Sequence, residues 1–451
     1  MNYNMCGIIG VTSKSKNASL LVYEGLMHLQ HRGQDSAGIS TQNKVIKKHG
    51  LVKNVFSEDE LNELVSYMSI GHVRYGTNSN HDLNTIQPIY QNGIYLVHNG
   101  NIINTDDITN ITGNSFTSDS AYILDLFNFK LSEYEQISYT VIFEIVSFIM
   151  KTLKGSYSVL LLIDGFGIIC FRDVYGIRPL IYGKKGNDYM VCSESSVIDL
   201  LEFQIVRDIK PGETIVFEEN QMPRFHNCDI RHGVYPCLFE YIYFARIDSV
   251  IDNISVYDAR YKMGQLLGNK IKNLQINDID TIVYVPESSV IFALGVQESL
   301  QLPIQCGFVK NNYIERTFIM KNDKLINKNI KRKVNGVYNV LNGKNILIID
   351  DSIVRGNTCS HIVYLAKKNG AKKIYFGSGA PPVLFDNRYG IYIPKQNELI
   401  AYNRSYEDIA DVIGVNRVIY NDLSEVVNTL KQLNPTLNGF ETSMFNNIHL
   451  H

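Results

Sequence analysis

The sequence predicts an α/β protein of at least two large domains, one of them built on a parallel sheet. Three observations support this. The chain has 451 residues, long enough for about three domains of ~150 residues or for two larger ones. The run Asn345-Ile346-Leu347-Ile348-Ile349-Asp350 has the length and β-branching of a strand covered on both faces. A helical pattern follows, with Leu365 and Ala366 on its apolar face and Gly370 as its stop. Lys373-Ile374-Tyr375-Phe376 then reads as a second strand and completes a βαβ unit.

In such a sheet, ligands bind beyond the carboxyl ends of the strands. The segment from Asp350 to Thr358 must lie there. Asp350 and Asp351 can hold a sugar's hydroxyls, directly or through Mg²⁺, which takes a few carboxylates plus water and phosphate. Ser352, Gly356 and Thr358 let backbone N–H groups close on a phosphate at a helix start. The plain alternative is a strand-to-helix turn with Asp and Ser as ordinary caps. The string from Ile346 to Thr358 resembles the PRPP-binding motif of the type I phosphoribosyltransferases. That resemblance implies that Asp350 and Asp351 grip the ribose hydroxyls and the metal. It also implies that Ser352, Arg355, Gly356, Asn357 and Thr358 belong to the loop holding the 5-phosphate.

Bulk composition excludes several classes. Apolar residues make up 45% of the chain, ample for packed cores, and the net charge of −2 shows no pull toward nucleic acid or an anionic membrane. The longest apolar run, Val159 to Phe171, is broken by Asp164, Gly165 and Gly167 and reads as two strands and a turn. The N-terminus lacks the basic and apolar regions of a signal peptide. Seven cysteines stand at 6, 170, 192, 228, 237, 306 and 359, without a Cys-x-x-Cys pair. This spacing suits a reducing cytoplasm and argues against a disulfide framework or a zinc site.

The opening Met5-Cys6-Gly7 suggests a nucleophile. If residues 1–5 are a removed leader or a misassigned start, Cys6 becomes N-terminal. Its α-amine, with an unperturbed pKa of roughly 7.7–8.0, can then act as base for its own thiol. A buried structural cysteine is the plainer meaning of that residue alone. Further on stand His31-Arg32-Gly33-Gln34-Asp35, then Gly71-His72-Val73-Arg74-Tyr75-Gly76-Thr77, then His98-Asn99-Gly100-Asn101 and Ser118-Asp119-Ser120. Each is weak singly: Asn99-Gly100 alone is a hairpin signal, Arg74 a surface ion pair, Asp119 a helix cap. In this order after Cys6-Gly7, they resemble the class II glutamine amidotransferase domain, an N-terminal-nucleophile hydrolase. The chemistry agrees. A guanidinium, Arg74, suits the glutamine α-carboxylate. Asp119 suits its α-ammonium, and the Asn99 side chain with the Gly100 N–H can stabilise the tetrahedral oxyanion. The resemblance also places Arg32, Gly33 and Thr77 beside glutamine. It departs at Ala121 and Gly76, where no chemistry is expected.

Together the halves resemble the amidophosphoribosyltransferase family from Cys6 to about Phe445. The implied fold is a four-layer αββα sandwich over 6–230 and a phosphoribosyltransferase domain with a parallel sheet over 235–430, followed by a tail, 431–451. The implied substrates are glutamine and PRPP. The loop of Glu287 and Ser288 would touch diphosphate, with Ser288 beside one Mg²⁺ per subunit. Lys321 to Lys333 holds six Lys or Arg. Read alone it is a solvated loop; by resemblance it closes over PRPP, with Lys333 catalytic. Part of the family carries an iron–sulfur cluster on four cysteines. Cys237 matches one ligand position, but Asn387 occupies another and the C-terminal pair is missing, so no cluster is expected. A homotetramer and inhibition by purine nucleotides are implied by family alone. Arg178-Pro179 reads as a turn, and the tyrosine-rich piece 235–244 as a buried strand. Two rivals remain. A PRPP-sensing regulator should add a basic DNA-binding domain and would not need Cys6. Other glutamine-dependent enzymes lack the loop at 350–358.

Overall fold

Alternate residues of the N-terminal strands point into different apolar layers, and this decides the architecture. The computed structural model describes residues 6–75, 83–230, 232–311 and 334–451. Strand Cys6–Thr12 sends Ile8 into a core shared with Val97, Leu160 and Leu162, and sends Ile9 and Val11 toward helix Ala18–His28. Strand Gly155–Ile163 turns Val159, Leu161 and Ile163 to its other side, against helices Asp119–Leu131 and Tyr139–Thr152. The result is helix, sheet, sheet, helix, as expected for this domain. The run from Val159 to Phe171 is indeed two antiparallel strands, Gly155–Ile163 and Gly167–Arg172, joined by a turn at Asp164. In the seven-stranded sheet, Cys6–Thr12 lies between Asp188–Cys192 and Met68–Arg74. In the six-stranded sheet, Ile94–Ile102 lies beside Gly155–Ile163.

The second domain is a five-stranded parallel sheet in the order Ile304–Gln305, Thr281–Tyr284, Asn345–Asp350, Lys373–Ser378, Arg417–Tyr420. Ile346 and Ile348 pack toward helix Asn357–Lys368, and Leu347 and Ile349 toward helices Val256–Asn273 and Val290–Leu300. Both faces are apolar, which is why this strand reads as a continuous run instead of an alternating one.

The junction differs from expectation. Residues 235–244 do not form a strand. Glu240–Phe244 is a wide helical turn, in which the Ala245 N–H reaches back to the Glu240 carbonyl at 3.0 Å. A strand would put Glu240 and Ile242 on one face. The turn instead buries Tyr241, Ile242 and Phe244 in the apolar core while Glu240 meets two arginines. Just before it, the N–H groups of Tyr235 and Cys237 donate to the carbonyls of Tyr175 and Ile177 at 2.8 and 3.1 Å. The crossover therefore runs along the edge of the first domain.

Four buried charges lie at this junction. Arg32 bonds Glu194 through Nε, and Glu240 through Nη1 and Nη2 at 3.2 and 2.6 Å. Arg178 Nη1 meets Glu240 at 3.0 Å. Glu194 also accepts from the Arg246 N–H at 3.0 Å and from Ser249 Oγ at 2.7 Å. Burial alone would raise the Glu194 carboxyl; the charges of Arg32 and His31 reverse this and hold it well below the usual carboxylate range. A second buried pair, Arg172 with Asp252, joins the domains through two bonds of 2.8 Å. Arg178-Pro179 is thus more than a turn, because its guanidinium belongs to the domain contact.

Helix Leu423–Leu433 runs across the boundary drawn at 430. Phe440, Met444 and Phe445 then enter the core that holds Leu238 and Tyr241. The last residues are part of the second domain's body as the structure places them. Among the described residues no helix is long and apolar enough to cross a membrane.

Removing one partner of a buried ion pair leaves an uncompensated charge, at roughly 3–5 kcal/mol. Glu240→Ala should therefore lower the chemical unfolding midpoint by about that much. Lys185→Ala, which breaks an exposed pair with Glu202, should change it by less than ~1 kcal/mol. Equal effects in the two variants would show that the buried array is not holding the domains.

Candidate active sites at the two sheet edges

Cys6 is the first residue of its strand and lies opposite Arg74, the last residue of the neighbouring one. Burial pushes its thiol up to about 12; the Arg74 and Arg178 charges pull it down, and Asp119 pushes it up. At neutral pH this sulfur keeps its proton unless a base stands beside it. Arg74 Nη1 donates to Thr85 Oγ1 at 2.7 Å and to the Thr85 carbonyl at 3.1 Å. Arg74 Nε is buried and has no partner among the described residues. Gly33 packs on the Arg74 backbone so closely that a Cβ would sit 2.5 Å from it, so no larger residue fits there. Arg32, expected beside glutamine, is placed otherwise. Its guanidinium is committed to Glu194 and Glu240, so it anchors the segment carrying Gly33 and offers no free donor to a ligand.

Asn99-Gly100 does not form a hairpin. Both residues lie within strand Ile94–Ile102, paired with Ser158 and Tyr157. Asn99 is buried, and its Nδ2 has no partner among the described residues. A buried donor left unpaired is unfavourable unless something accepts from it. Asp119 opens helix Asp119–Leu131 but does not cap it. Its Oδ1 accepts from the Ser120 N–H at 2.8 Å, and its Oδ2 lies 3.7 Å from His98 Nδ1. Burial holds His98 below the usual histidine range, so it is neutral. Around one thiol, therefore, stand two unpaired donors and a carboxylate. That set matches a small ligand bearing a carbonyl, a carboxylate and an ammonium.

The second site is built on adjacent strands. Asp350 ends its strand, and the Val285 N–H beside it donates to the Ile349 carbonyl at 3.0 Å. Asp350 and Asp351 are both buried. Burial and the neighbouring Asp351 push the Asp350 carboxyl well up. Burial also raises Asp351, against hydrogen bonds from Ser288 and Ser352 and the charge of Arg260. Ser352 Oγ reaches Asp351 Oδ1 at 2.7 Å. Two carboxylates packed side by side in this way are complementary to a cation. Among the described residues no three His, Cys, Asp or Glu are grouped to hold a metal. The donor set is thus two carboxylates and Ser288, with room for water and phosphate, which fits Mg²⁺.

Gly356 leads into helix Asn357–Lys368, with Thr358 in its first turn. Arg355 pairs with Glu398 at 2.8 Å, and Glu287 lies 3.6 Å from Lys310 on the surface. Thr77, Lys333 and residues 1–5 lie outside the described residues. Arg260 was not singled out from sequence. It is buried on helix Val256–Asn273, donating to the carbonyls of Tyr241 and Ala245 at 2.9 and 2.8 Å, and so stands between Asp351 and the turn that carries Glu240. Its only signal in the sequence is an arginine within the apolar stripe of Val256, Ala259 and Met263. The two positions weighed for an iron–sulfur cluster meet at Glu441. Cys237 pairs with it through the backbone, and Asn387 Nδ2 donates to its Oε2 at 3.1 Å. One thiol, an amide and a carboxylate do not make a ligand set for such a cluster.

The fold and these two sites define a glutamine amidotransferase of the N-terminal-nucleophile class joined to a type I phosphoribosyltransferase. Known proteins agree. A family model for a glutamine amidotransferase domain matches residues 77–199. The amidophosphoribosyltransferase of Pasteurella multocida is 40% identical over 99% of this chain and 93% of its own length. That of Escherichia coli is 39% identical over 99% and 92%. The structure of the glutamine phosphoribosylpyrophosphate amidotransferase from B. subtilis, complexed with ADP and GMP, superposes with a TM-score of 0.87 at 30% identity. It covers 99% of this chain and 97% of that one. The chain belongs to the amidophosphoribosyltransferase family, glutamine-dependent glycosyltransferases that open purine biosynthesis.

Because burial holds the Cys6 thiol at about 12, its reactivity should depend on a freed α-amine. A chain beginning at Cys6 should be alkylated by iodoacetamide at pH ~7.5 at least about tenfold faster than one retaining residues 1–5. Its rate should climb with pH through the amine's range near ~8. Mass spectrometry of the labelled peptide reads both rates; equal rates would remove the amine from the argument.

Proposed function

We propose that this chain converts glutamine, PRPP and water into 5-phosphoribosylamine, glutamate and diphosphate, with a named group at each step. The Cys6 α-amine, freed by loss of residues 1–5, takes the thiol proton. The thiolate then attacks the glutamine side-chain carbonyl carbon. Asn99 Nδ2 and the Gly100 N–H hold the resulting oxyanion. Collapse expels ammonia, which leaves with the proton the amine had taken, and water opens the thioester to glutamate. Arg74 holds the substrate's α-carboxylate and Asp119 its α-ammonium, with Gly33 and Thr77 lining the pocket. Arg32 acts from behind, by fixing Gly33.

At the second site Asp350 and Asp351 bind the ribose hydroxyls. The loop of Ser352, Arg355, Gly356, Asn357 and Thr358 holds the 5-phosphate at a helix N-terminus. Glu287 and Ser288 lie against the diphosphate, and Lys333 offsets its charge as it departs. One Mg²⁺ per subunit, held by Asp350, Asp351 and Ser288, would neutralise charge on the leaving diphosphate. Ammonia attacks the ribose C1 as the bond to diphosphate breaks. It crosses between the sites through a transient, mostly apolar channel, because in bulk water it would be protonated. No iron–sulfur cluster takes part. The relative's ADP and GMP support purine nucleotides as feedback inhibitors here. A cytoplasmic homotetramer completes the proposal.

The observation that carries this reading is the position of Cys6. It opens a strand in register with Arg74 and lies in the fields of Arg74, Asp119 and Arg178. The test is glutamate and diphosphate release with and without PRPP. Cys6→Ala should lose glutamine-dependent synthesis by roughly 10³-fold or more, yet retain synthesis from ammonia at high pH. Asp351→Asn should lose both. If Cys6→Ala lost both equally, or if glutamine hydrolysis ignored PRPP, the division of labour would be wrong.

A further inference from the structure

One segment of the second domain touches both sites. At its start the Gly379 N–H donates to the Asp350 carbonyl at 2.9 Å, and the Ala380 N–H to the Asp351 carbonyl at 2.7 Å. At its end it lies on the strand that carries the oxyanion donors. The Arg388 carbonyl accepts from Asn101 Nδ2 at 2.8 Å. The Tyr389 carbonyl accepts from Ser156 Oγ at 2.7 Å, and from Arg178 Nη2 and Nε at 2.6 and 3.0 Å. Gly390 has φ +88°, and a Cβ there would sit 2.7 Å from the Gly100 carbonyl carbon. Only glycine allows that approach. Asn101 and Ser156 are cross-strand partners directly beside Gly100. The backbone of Gly100 is therefore held by its own sheet on one side and by Arg388, Tyr389 and Gly390 on the other.

Asn387 gives this end its shape. It is fully buried, and its Oδ1 accepts from the N–H groups of Tyr389 at 2.8 Å and Ile391 at 3.3 Å. Its Nδ2 donates to Glu441 Oε2 at 3.1 Å and Ser443 Oγ at 3.4 Å. Both ends of one amide are satisfied, and the loop it closes has no other side chain in that role. Removing it strands two backbone donors and a carboxylate oxygen in the interior, and the Tyr389 carbonyl loses its fixed direction.

We propose that Asn387 is a positioning residue for glutamine hydrolysis: it folds residues 387–391 so that Tyr389 and Gly390 hold Gly100, and with it Asn99, in place for the oxyanion. The proposal rests on the assignment of Asn99 and Gly100 made above. It also makes segment 379–390 a physical link from the backbone of Asp350 and Asp351 to the glutaminase. Asn387 touches no substrate and acts only through Tyr389 and Gly390.

The test uses the full chain and compares glutamine-dependent with ammonia-dependent synthesis at saturating PRPP. Wild-type rates examine the site assignments; the ratio of the two rates in the variants examines Asn387 alone. Asn387→Ala should lower kcat with glutamine by roughly 10- to 100-fold, the scale of a misplaced oxyanion donor. KM for glutamine and the ammonia-dependent rate should stay within about twofold. Gly390→Ala should show the same split. Asn387→Asp keeps the acceptor for Tyr389 and Ile391 but sets a second carboxylate against Glu441. A proton shared by the two restores the lost donor, so its glutamine kcat relative to wild type should recover as pH falls from about 8 to about 6. The Asn387→Ala deficit should be flat over that range. Wild-type glutamine kcat in Asn387→Ala and Gly390→Ala would overturn the proposal. Should Asn387→Ala lose both activities together, Asn387→Asp decides: selective recovery of the glutamine rate supports the role, and a flat profile overturns it.

Discussion

Everything in this molecule depends on four charges that leave water together. Arg32, Arg178 and Glu194 come from the sandwich, and Glu240 from the crossover turn. Two guanidiniums and two carboxylates sum to zero, and each is tolerable in the interior only while its partners are present. Such an array adds little net stability compared with apolar side chains of the same volume. What it does is penalise every other way of seating one domain on the other, because any shift strands a charge. Arg172 with Asp252 repeats the device at the far end of the junction. The distance between the two sheet edges is thereby set by electrostatics instead of by a linker.

That fixed distance matters because of what must cross it. Ammonia at neutral pH is mostly protonated in water, and water itself competes for an activated ribose carbon. Two separate enzymes would lose nitrogen to both. A rigid junction lets one chain release the nucleophile where the acceptor is already held. The same junction explains why Arg32 is not a ligand for glutamine. A guanidinium locked between two buried carboxylates has no donor to spare, and its value lies in how firmly it holds Gly33 against Arg74.

The parts legible in the sequence were those whose signal is local. The strand ending in Asp350 and the helix after it were readable because a strand buried on both faces is apolar throughout, and a helix stop needs a glycine. The broken run at Asp164 was readable for the same reason. The junction was not. Arg32 and its partner Glu194 lie 162 residues apart, and Arg32 and Glu240 lie 208 apart, so no window contains both. Without the arginines, Glu240 looks like one polar residue in an aromatic strand. Asn99-Gly100 misleads in the opposite way. Its turn chemistry is real, but here the glycine serves a close approach within a strand, by Gly390 from the other domain. Asn387, noticed only as a missing cysteine, shapes that contact.

The two sites share an electrostatic condition that neither relieves alone. At Cys6, burial disfavours the thiolate; at Asp350 and Asp351, burial and mutual repulsion disfavour the second negative charge. In both places the reactive form is the charged one, and in both the missing counter-charge must come from something that is not a neighbouring side chain. At the first it is the proton acceptor of a freed amine and the donors Arg74 and Asn99. At the second it is a cation arriving with a phosphorylated sugar. An interior that holds its reactive groups neutral until their ligands arrive wastes little substrate when only one is bound. Low dielectric is then what keeps glutamine hydrolysis and ribosyl transfer in step, because the same water exclusion that silences each site when empty strengthens its charges once filled.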